Sequence, residues 1–155
     1  MKKIGVVFLV AFALNSIWEN LHAVMYVSYK GGAITEFILL RASLFDALVI
    51  TGIALPFLFL PFLKNKQWLI LIIGTGIAVF NEWYGLGTGR WVYNSLMPIV
   101  PFFEVGLTPM LQLGVLGYLT ILIQDTFFFV CNVLTALLFL DTESRMYIFY
   151  VGCLG

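Results

Sequence analysis

Carboxylate and imidazole side chains lie in or beside long apolar stretches of this chain, where they could give and take protons. Glu19 and His22 are three residues apart in the first apolar stretch, and Glu82 lies near the end of a later one. Glu104 follows an aromatic segment that contains prolines. Burial and neighbouring charges tune how readily such groups release a proton. We therefore predict that Glu19, His22, Glu82 and Glu104 are the catalytic residues.

Several polar residues recur at helical spacing. One predicted helical face carries Asn15, Glu19, His22 and Tyr26. A second carries Glu104, Thr108 and Gln112. Glu19 and His22 also match the Glu-x-x-His spacing of di-metal helical bundles. Because the chain has a single histidine, we predict a hydrogen-bonded Glu19–His22 pair, no metal and no other cofactor.

The composition places these residues in a membrane. Of the 155 residues, 62% are hydrophobic and 10% are charged, whereas soluble domains have about 45–50% apolar and about 25% charged residues. A soluble domain of this length cannot bury so many aromatic side chains. Eight basic and eight acidic residues balance, so the chain lacks the basic surface that nucleic acids require. We expect a lipid bilayer as partner and no nucleic acid.

The apolar stretches predict an all-α bundle of four to five transmembrane helices that forms a single domain over residues 1–155. A helix needs about 20 apolar residues to cross a bilayer. The predicted spans are 4–27, 37–63, 68–86, 105–123 and the shorter 126–140. Residues 94–103 are apolar but contain prolines, which favours a re-entrant segment. The apolar residues 146–155 stay unassigned.

The lysines favour a cytoplasmic N-terminus in the cell membrane. The four that fall on one side of the predicted bundle are Lys2, Lys3, Lys64 and Lys66, and cytoplasmic loops are rich in Lys and Arg. Most of the other charged residues then lie in the outer half. A charge near the membrane centre costs about 2.5–3.5 kcal/mol, so we expect these side chains to pair within one outward-facing cavity.

Six ionisable residues are predicted to line this cavity, with at least two opposite-charge contacts among them: Glu19, His22, Arg41, Asp46, Glu82 and Arg90. Substrate contacts are predicted for charged, amide and aromatic residues of the same half: Arg41, Asp46, Asn81, Arg90, Trp91 and Tyr93. The glycines between Gly85 and Gly89 allow the chain to bend sharply beside these aromatic rings.

Part of the chain resembles a family of membrane enzymes. Trp91-Val-Tyr93 is followed by Pro101-Phe-Phe-Glu104, a pattern similar to that of small membrane-bound lycopene cyclase domains. Gln124-Asp125-Thr-Phe-Phe-Phe129 resembles an altered second copy. The resemblance implies that Glu104 and Asp125 take acidic positions of the family. Its members protonate a terminal double bond of a polyene, close a ring through a carbocation and release a proton.

Three functions stay open at this point. The first is acid–base chemistry of cyclase or isomerase type on a lipid or isoprenoid ligand. The second is a structural or assembly subunit, as a homo-oligomer or in a larger membrane complex, whose charges only join helices. The third is a small-solute transporter, which the apolar inner half disfavours because it offers little polar path beyond Asp125.

Overall fold

The computed structural model describes residues 2–139 and contains four long helices with short strands at one end of the bundle. Each of the four is long and apolar enough to cross a membrane, and the prediction of an all-α helical bundle is confirmed. The helices are α1 Lys2–His22, α2 Glu36–Phe59, α3 Leu69–Gly87 and α4 Leu107–Phe139.

The last helix shows that the prediction of a separate fifth span is wrong. The stretches 105–123 and 126–140 belong, as far as they are described, to the single 33-residue helix α4. Their polar junction, residues 124–126, contains neither proline nor glycine, and the Thr126 hydroxyl donates to the Leu122 carbonyl at 2.8 Å. A helix of this length extends about 50 Å, well beyond the roughly 30 Å hydrocarbon core. Residues 140 and 146–155 lie outside the described part.

Local sequence determines where α2 begins and ends. The Thr35 side chain accepts a hydrogen bond from the Ile38 amide at 3.4 Å, as an N-cap residue does. Pro61 starts a 3-10 turn, Pro61–Lys66, and proline cannot donate the amide hydrogen bond that a continuing helix needs. The helix therefore ends at Phe59, before the predicted boundary at residue 63.

Two small antiparallel sheets lie at one end of the bundle. Strand β1 Tyr26–Tyr29 pairs with β2 Trp91–Tyr93, so that Tyr29 faces Trp91 and Tyr26 faces Tyr93. Strand β3 Ile99–Val100 pairs with β4 Val105–Gly106. Residues 94–103, for which a re-entrant segment was expected, form a turn and one strand of this hairpin, since their two prolines disfavour a helix.

The interior of the bundle is made of apolar side chains and closely approaching helix backbones. One buried cluster contains Ala11, Ala47, Ile50, Ala78, Leu113 and Leu116. A second contains Val7, Ala54, Phe57, Ile70 and Ile121. Helices α3 and α4 touch at Gly74 and Gly114, where a Cβ on Gly74 would lie 2.6 Å from the Gly114 nitrogen. Small residues allow such close packing of helices in membranes.

The bundle has two different ends. Helices α1 and α3 finish, and α2 and α4 begin, at the end that carries the strands, which we call the sheet end. The opposite end carries the 3-10 turn Pro61–Lys66, and we call it the Lys64 end. The sequence predicts that most of the other charged side chains gather in one half of the bundle. In the structure, this half is the sheet end.

Candidate functional site: a polar cavity at the sheet end

A cavity of about 450 Å³ lies between the four helices and strand β1. The prediction that six ionisable residues share one cavity is confirmed, because its walls include Glu19, His22, Arg41, Asp46, Glu82 and Arg90. Asn81 and Trp91 also line it. Arg41 and Asp46 are five residues apart on α2, so they leave the helix in different directions, yet both line the cavity.

Gln112 of α4 joins three helices at the base of this cavity. Its Nε2 atom lies 2.7 Å from Glu19 Oε1, 2.8 Å from Asp46 Oδ2 and 3.1 Å from Asn15 Oδ1. The Gln112 side chain is 5% exposed and Asp46 is 8% exposed. An amide nitrogen has two hydrogens, so three acceptors compete for them. Two carboxylates thus lie within hydrogen-bond distance of the same neutral donor.

Glu82 is held by a different set of neutral donors. Its Oε2 atom accepts a hydrogen bond from Trp91 Nε1 at 3.1 Å and another from the Tyr93 hydroxyl. The same hydroxyl oxygen accepts from the Gly106 amide at 3.0 Å, which ties strand β4 to the site. Both hydrogen bonds described for this cavity-lining carboxylate are on Oε2, and none is described for Oε1.

The aromatic partners of Glu82 depend on close packing. The Trp91 indole lies against the backbone of Gly85, where an added Cβ would overlap the ring. Burial, together with the hydrogen bond to Glu82, raises the pKa of Tyr93 above its usual value. Tyr93 therefore stays a hydrogen-bond donor at neutral pH. The predicted contact residues Trp91 and Tyr93 thus act on Glu82, and Tyr93 itself does not line the cavity.

His22 does not pair with Glu19, and the prediction of that hydrogen bond is wrong. The His22 Nδ1 atom lies 2.9 Å from the Trp18 carbonyl, which can only accept, so Nδ1 carries the hydrogen. In the neutral ring, Nε2 is then the acceptor. The ring lies edge-on to Tyr26 with centroids 5.3 Å apart. Glu19 accepts from Gln112 instead, and the Nδ1 hydrogen of His22 is used by the Trp18 carbonyl.

The arginines of the cavity bond to tyrosines. Arg41 donates to the Tyr29 hydroxyl at 2.8 Å, and Arg90 donates to the Tyr84 hydroxyl at 3.2 Å. Each guanidinium also lies over the ring of its tyrosine, 5.7 Å away for Arg41 and 4.8 Å for Arg90. Among the described cavity residues no ion pair forms, so the predicted opposite-charge contacts are wrong. Instead, the carboxylates accept hydrogen bonds from neutral donors, and the arginines contact the hydroxyls and rings of tyrosines.

Glu104 lies outside the cavity. It is exposed, has a φ of 56° and occupies the turn between β3 and β4. Helix α4 begins only at Leu107, so Glu104 does not begin the polar stripe that was predicted on this helix. Thr108 of that stripe contacts the sulfur of Met97 at 3.4 Å, and Gln112 alone reaches the carboxylates.

No protein-family model matches this chain, and no curated protein or solved structure matches it either. The resemblance to lycopene cyclase domains therefore stays a prediction. The site is described by its own geometry: three buried or half-buried carboxylates, one histidine and two arginines in a cavity between membrane-spanning helices.

Sequence reasoning missed the part that three residues play in this site. Gln112 was recognised as part of a polar stripe, but its three partners are 66 to 97 residues away in the chain, so no local spacing indicates them. Tyr29 and Lys30 also line the cavity. Tyr29 is the last residue of β1 and faces Trp91, and Lys30 follows it. That pairing is not visible in the sequence.

Proposed function

We propose that the cavity carries out acid–base chemistry on the unsaturated chain of a lipid or isoprenoid substrate, as an isomerase or cyclase. One observation carries the proposal: Glu19, Asp46 and Glu82 line one cavity, and the hydrogen bonds described for them come from neutral groups. Carboxylates that only join helices should face cations, because an unpaired buried charge is costly. These three remain available to exchange protons.

The Glu19–Asp46 pair is the proposed proton donor. Both carboxylates approach the Gln112 nitrogen, and two negative charges held so close repel each other. A proton shared between them removes that repulsion. Such a pair keeps a carboxylic acid in apolar surroundings, beside the space in which a substrate would lie.

Glu82 is the proposed proton acceptor, through its Oε1 atom. The two donors on Oε2 orient the carboxylate and favour its negative charge. A double bond of the substrate would take a proton from the Glu19–Asp46 pair and become a carbocation. Glu82 would then remove a proton from an adjacent carbon, whose C–H electrons form the new double bond. The reaction is redox-neutral, and the proton returns from Glu82 to the pair through the cavity.

The remainder of the bundle favours an enzyme over a transporter. Between the cavity and the Lys64 end lies the apolar cluster of Val7, Ala54, Phe57, Ile70 and Ile121. The Asp125 carboxylate at that end accepts a hydrogen bond from Gln67 at 2.8 Å, which gives it a structural role. A solute that entered the cavity would therefore meet a packed apolar interior.

Deuterium incorporation tests the proposed chemistry without knowledge of the product. The protein is reconstituted in phosphatidylcholine vesicles with geranylgeranyl phosphate, or with lipids extracted from the host membrane, and incubated in heavy water. We expect deuterium on carbon in the wild-type sample. General acid–base catalysis contributes about 100-fold or more, so Glu82→Gln and Asp46→Asn should lower the rate by at least that factor.

Glu36→Gln is the matched control, because Glu36 is exposed at the start of α2 and does not line the cavity. It should retain the wild-type rate. Thermal unfolding of each variant checks that the bundle is intact. Equal incorporation by wild type and Glu82→Gln, or no incorporation by the wild type with either lipid source, would overturn the proposal.

We propose further that the sheet end faces the outside of a cell membrane and that the N-terminus is cytoplasmic, because Lys2, Lys3, Lys64 and Lys66 all belong to the opposite end. Cysteines introduced at the exposed positions Asn65 and Thr88, in a cysteine-free background, test this orientation. An impermeant thiol reagent added to intact cells should label position 88. Labelling of position 65 instead would reverse the orientation.

A further inference from the structure

Three cationic residues gather at the opening of the cavity. Lys30, Arg41 and Arg90 all line it, and the Lys30 amide donates to the Arg90 carbonyl at 2.6 Å. The Lys30 ammonium lies 5.8 Å from the Tyr29 ring, and the Arg41 guanidinium lies 5.7 Å from the same ring. Lys30 and Arg41 are exposed although they line the cavity, so they mark where it opens.

These cations have unused binding capacity. A guanidinium has five N–H donors, and the described hydrogen bonds of Arg41 and Arg90 use one donor each, toward a tyrosine hydroxyl. In the described structure no carboxylate forms an ion pair with Lys30, Arg41 or Arg90, since the carboxylates of the cavity bond to neutral donors. The cavity therefore has a cationic opening and an acidic interior.

An apolar side chain continues the opening toward the interior of the membrane. Phe45 also lines the cavity and is exposed. It follows Arg41 by one helical turn, which places it about 6 Å farther along the axis of α2. Asp46 comes next and is one of the two carboxylates that approach Gln112. A ligand that enters here meets positive charge first, then an apolar surface and finally the carboxylates.

We propose that this opening binds the phosphate headgroup of an amphiphile, whose apolar chain passes Phe45 into the cavity. Arginine binds phosphate oxygens through parallel hydrogen bonds, and the two guanidinium groups with Lys30 can neutralise a doubly charged headgroup. The proposal deepens the proposed function, on which it rests for the role of the chain as substrate. It assigns the substrate to the phosphorylated lipids or isoprenoids and excludes a pure hydrocarbon.

Calorimetric titration of the protein in phosphatidylcholine nanodiscs tests the headgroup site. The probes are dodecyl phosphate, dodecanol, dodecyltrimethylammonium and inorganic phosphate, with empty nanodiscs as the blank. We expect dodecyl phosphate to bind the wild type most tightly, and its affinity to fall as sodium chloride is added. The Arg41→Gln/Arg90→Gln variant should lose about tenfold or more in affinity, since charge-assisted bidentate contacts are lost.

Two further variants make the result specific. Lys64→Gln/Lys66→Gln removes the same number of positive charges from the opposite end and should change the affinity by less than about twofold, because screening weakens distant charges. Arg41→Lys/Arg90→Lys keeps the charge and should bind with intermediate affinity. Equal binding by wild type and the Arg→Gln variant, or equal binding of dodecanol and dodecyl phosphate by the wild type, would overturn the proposal.

Two additional measurements are needed. The first identifies the source of the phosphate, and the second distinguishes failure of the headgroup site from failure of the proposed chemistry. If the headgroup belongs to a bulk phospholipid, phosphatidylglycerol in the nanodisc should compete with dodecyl phosphate. If the ligand carries its own phosphate ester, competition should be weak. Glu82→Gln should bind dodecyl phosphate like the wild type while it loses deuterium incorporation, so failure of the headgroup site and failure of the chemistry give different results.

Discussion

The carboxylates of the cavity at the sheet end and the threonine hydroxyls toward the Lys64 end are hydrogen-bonded in different ways. Toward the Lys64 end, the hydroxyls of Thr51, Thr120 and Thr135 each donate to the carbonyl four residues earlier in their own helix. At the sheet end, Gln112 bonds to two other helices, and Glu82 bonds to strand β2. A buried hydroxyl can form its hydrogen bond within its own helix. Hydrogen bonds between different elements, in contrast, fix the positions of the carboxylates relative to one another.

This difference indicates that the apolar contacts contribute mainly to stability and that the sheet end carries the groups proposed for chemistry. The apolar clusters and the Gly74–Gly114 contact hold the helices together without needing a particular protonation state. The sheet end keeps charged groups in an apolar bundle, which is costly, and holds them with few donors. We expect mutations in the two halves to differ accordingly, and the four predictions below are ordered by the size of their effect.

The largest effect is expected from Gln112→Leu. The substitution removes the donor shared by Glu19 and Asp46, and a buried acceptor that loses its partner costs about 1–3 kcal/mol, more when it is charged. We expect a loss near 3 kcal/mol in the free energy of unfolding, measured by thermal unfolding in detergent. Thr120→Val, which removes a buried hydroxyl bonded within its own helix, should cost much less. Similar losses for both would erase the distinction between the two halves.

A smaller loss of stability is expected from Gly74→Ala. Its Cβ would lie 2.6 to 2.7 Å from backbone atoms of Leu113 and Gly114, which cannot move without separating α3 from α4. Overpacking of this kind costs about 1–3 kcal/mol. Gly76→Ala, two residues later on the same helix, meets no atom within 4 Å and should be neutral or slightly stabilising. The two midpoints of thermal unfolding check this, and equal midpoints would show that the helices are not held at Gly74.

Gly85→Ala should disturb the site more than the fold. A Cβ there overlaps the Trp91 indole, so the ring must move away from Glu82, at a cost of about 1 kcal/mol in stability. In a background where the other three tryptophans are replaced by phenylalanine, we expect the fluorescence of Trp91 to shift to longer wavelength. Gly87→Ala, with open space around its Cβ, should leave the emission unchanged. Identical spectra for the two variants would contradict the packing of Trp91 on Gly85.

The smallest effect concerns alkaline pH. Burial raises the pKa of Tyr93 above its ordinary value of 10.0, and burial also raises that of Tyr26. The folded protein therefore favours the protonated phenols, so their contribution to stability is complete below pH 10.0 and decreases as the pH rises above it. Between about pH 9 and about pH 11, the thermal midpoint of Tyr93→Phe should fall less than that of the wild type.

The midpoint of the same variant at neutral pH serves as its reference, because it measures the loss of the hydrogen bond to Glu82 by itself. Parallel pH curves for wild type and Tyr93→Phe would show that Tyr93 titrates alike in the folded and unfolded chains.

The sequence by itself determined the membrane-spanning bundle and the half in which the charged residues gather. Apolar stretches of about 20 residues have few alternatives to a helix in lipid, because the backbone must bond internally. An isolated charge in lipid is costly, so the sequence alone also predicts that Glu19, Asp46 and Glu82 share one cavity. These rules act on each helix separately, so they can be read from local sequence.

Only the tertiary structure decided which groups touch. Glu19 bonds to Gln112 and not to His22, and Arg41 bonds to Tyr29 and not to a carboxylate. These choices depend on how the helices are rotated and how closely they approach. Close contacts such as that between Gly74 and Gly114 contribute to this arrangement. The position of Glu104 depends on where α4 begins, and the β3–β4 hairpin delays that start to Leu107. Pairing across elements is a long-range property, and neither spacing nor composition contains it.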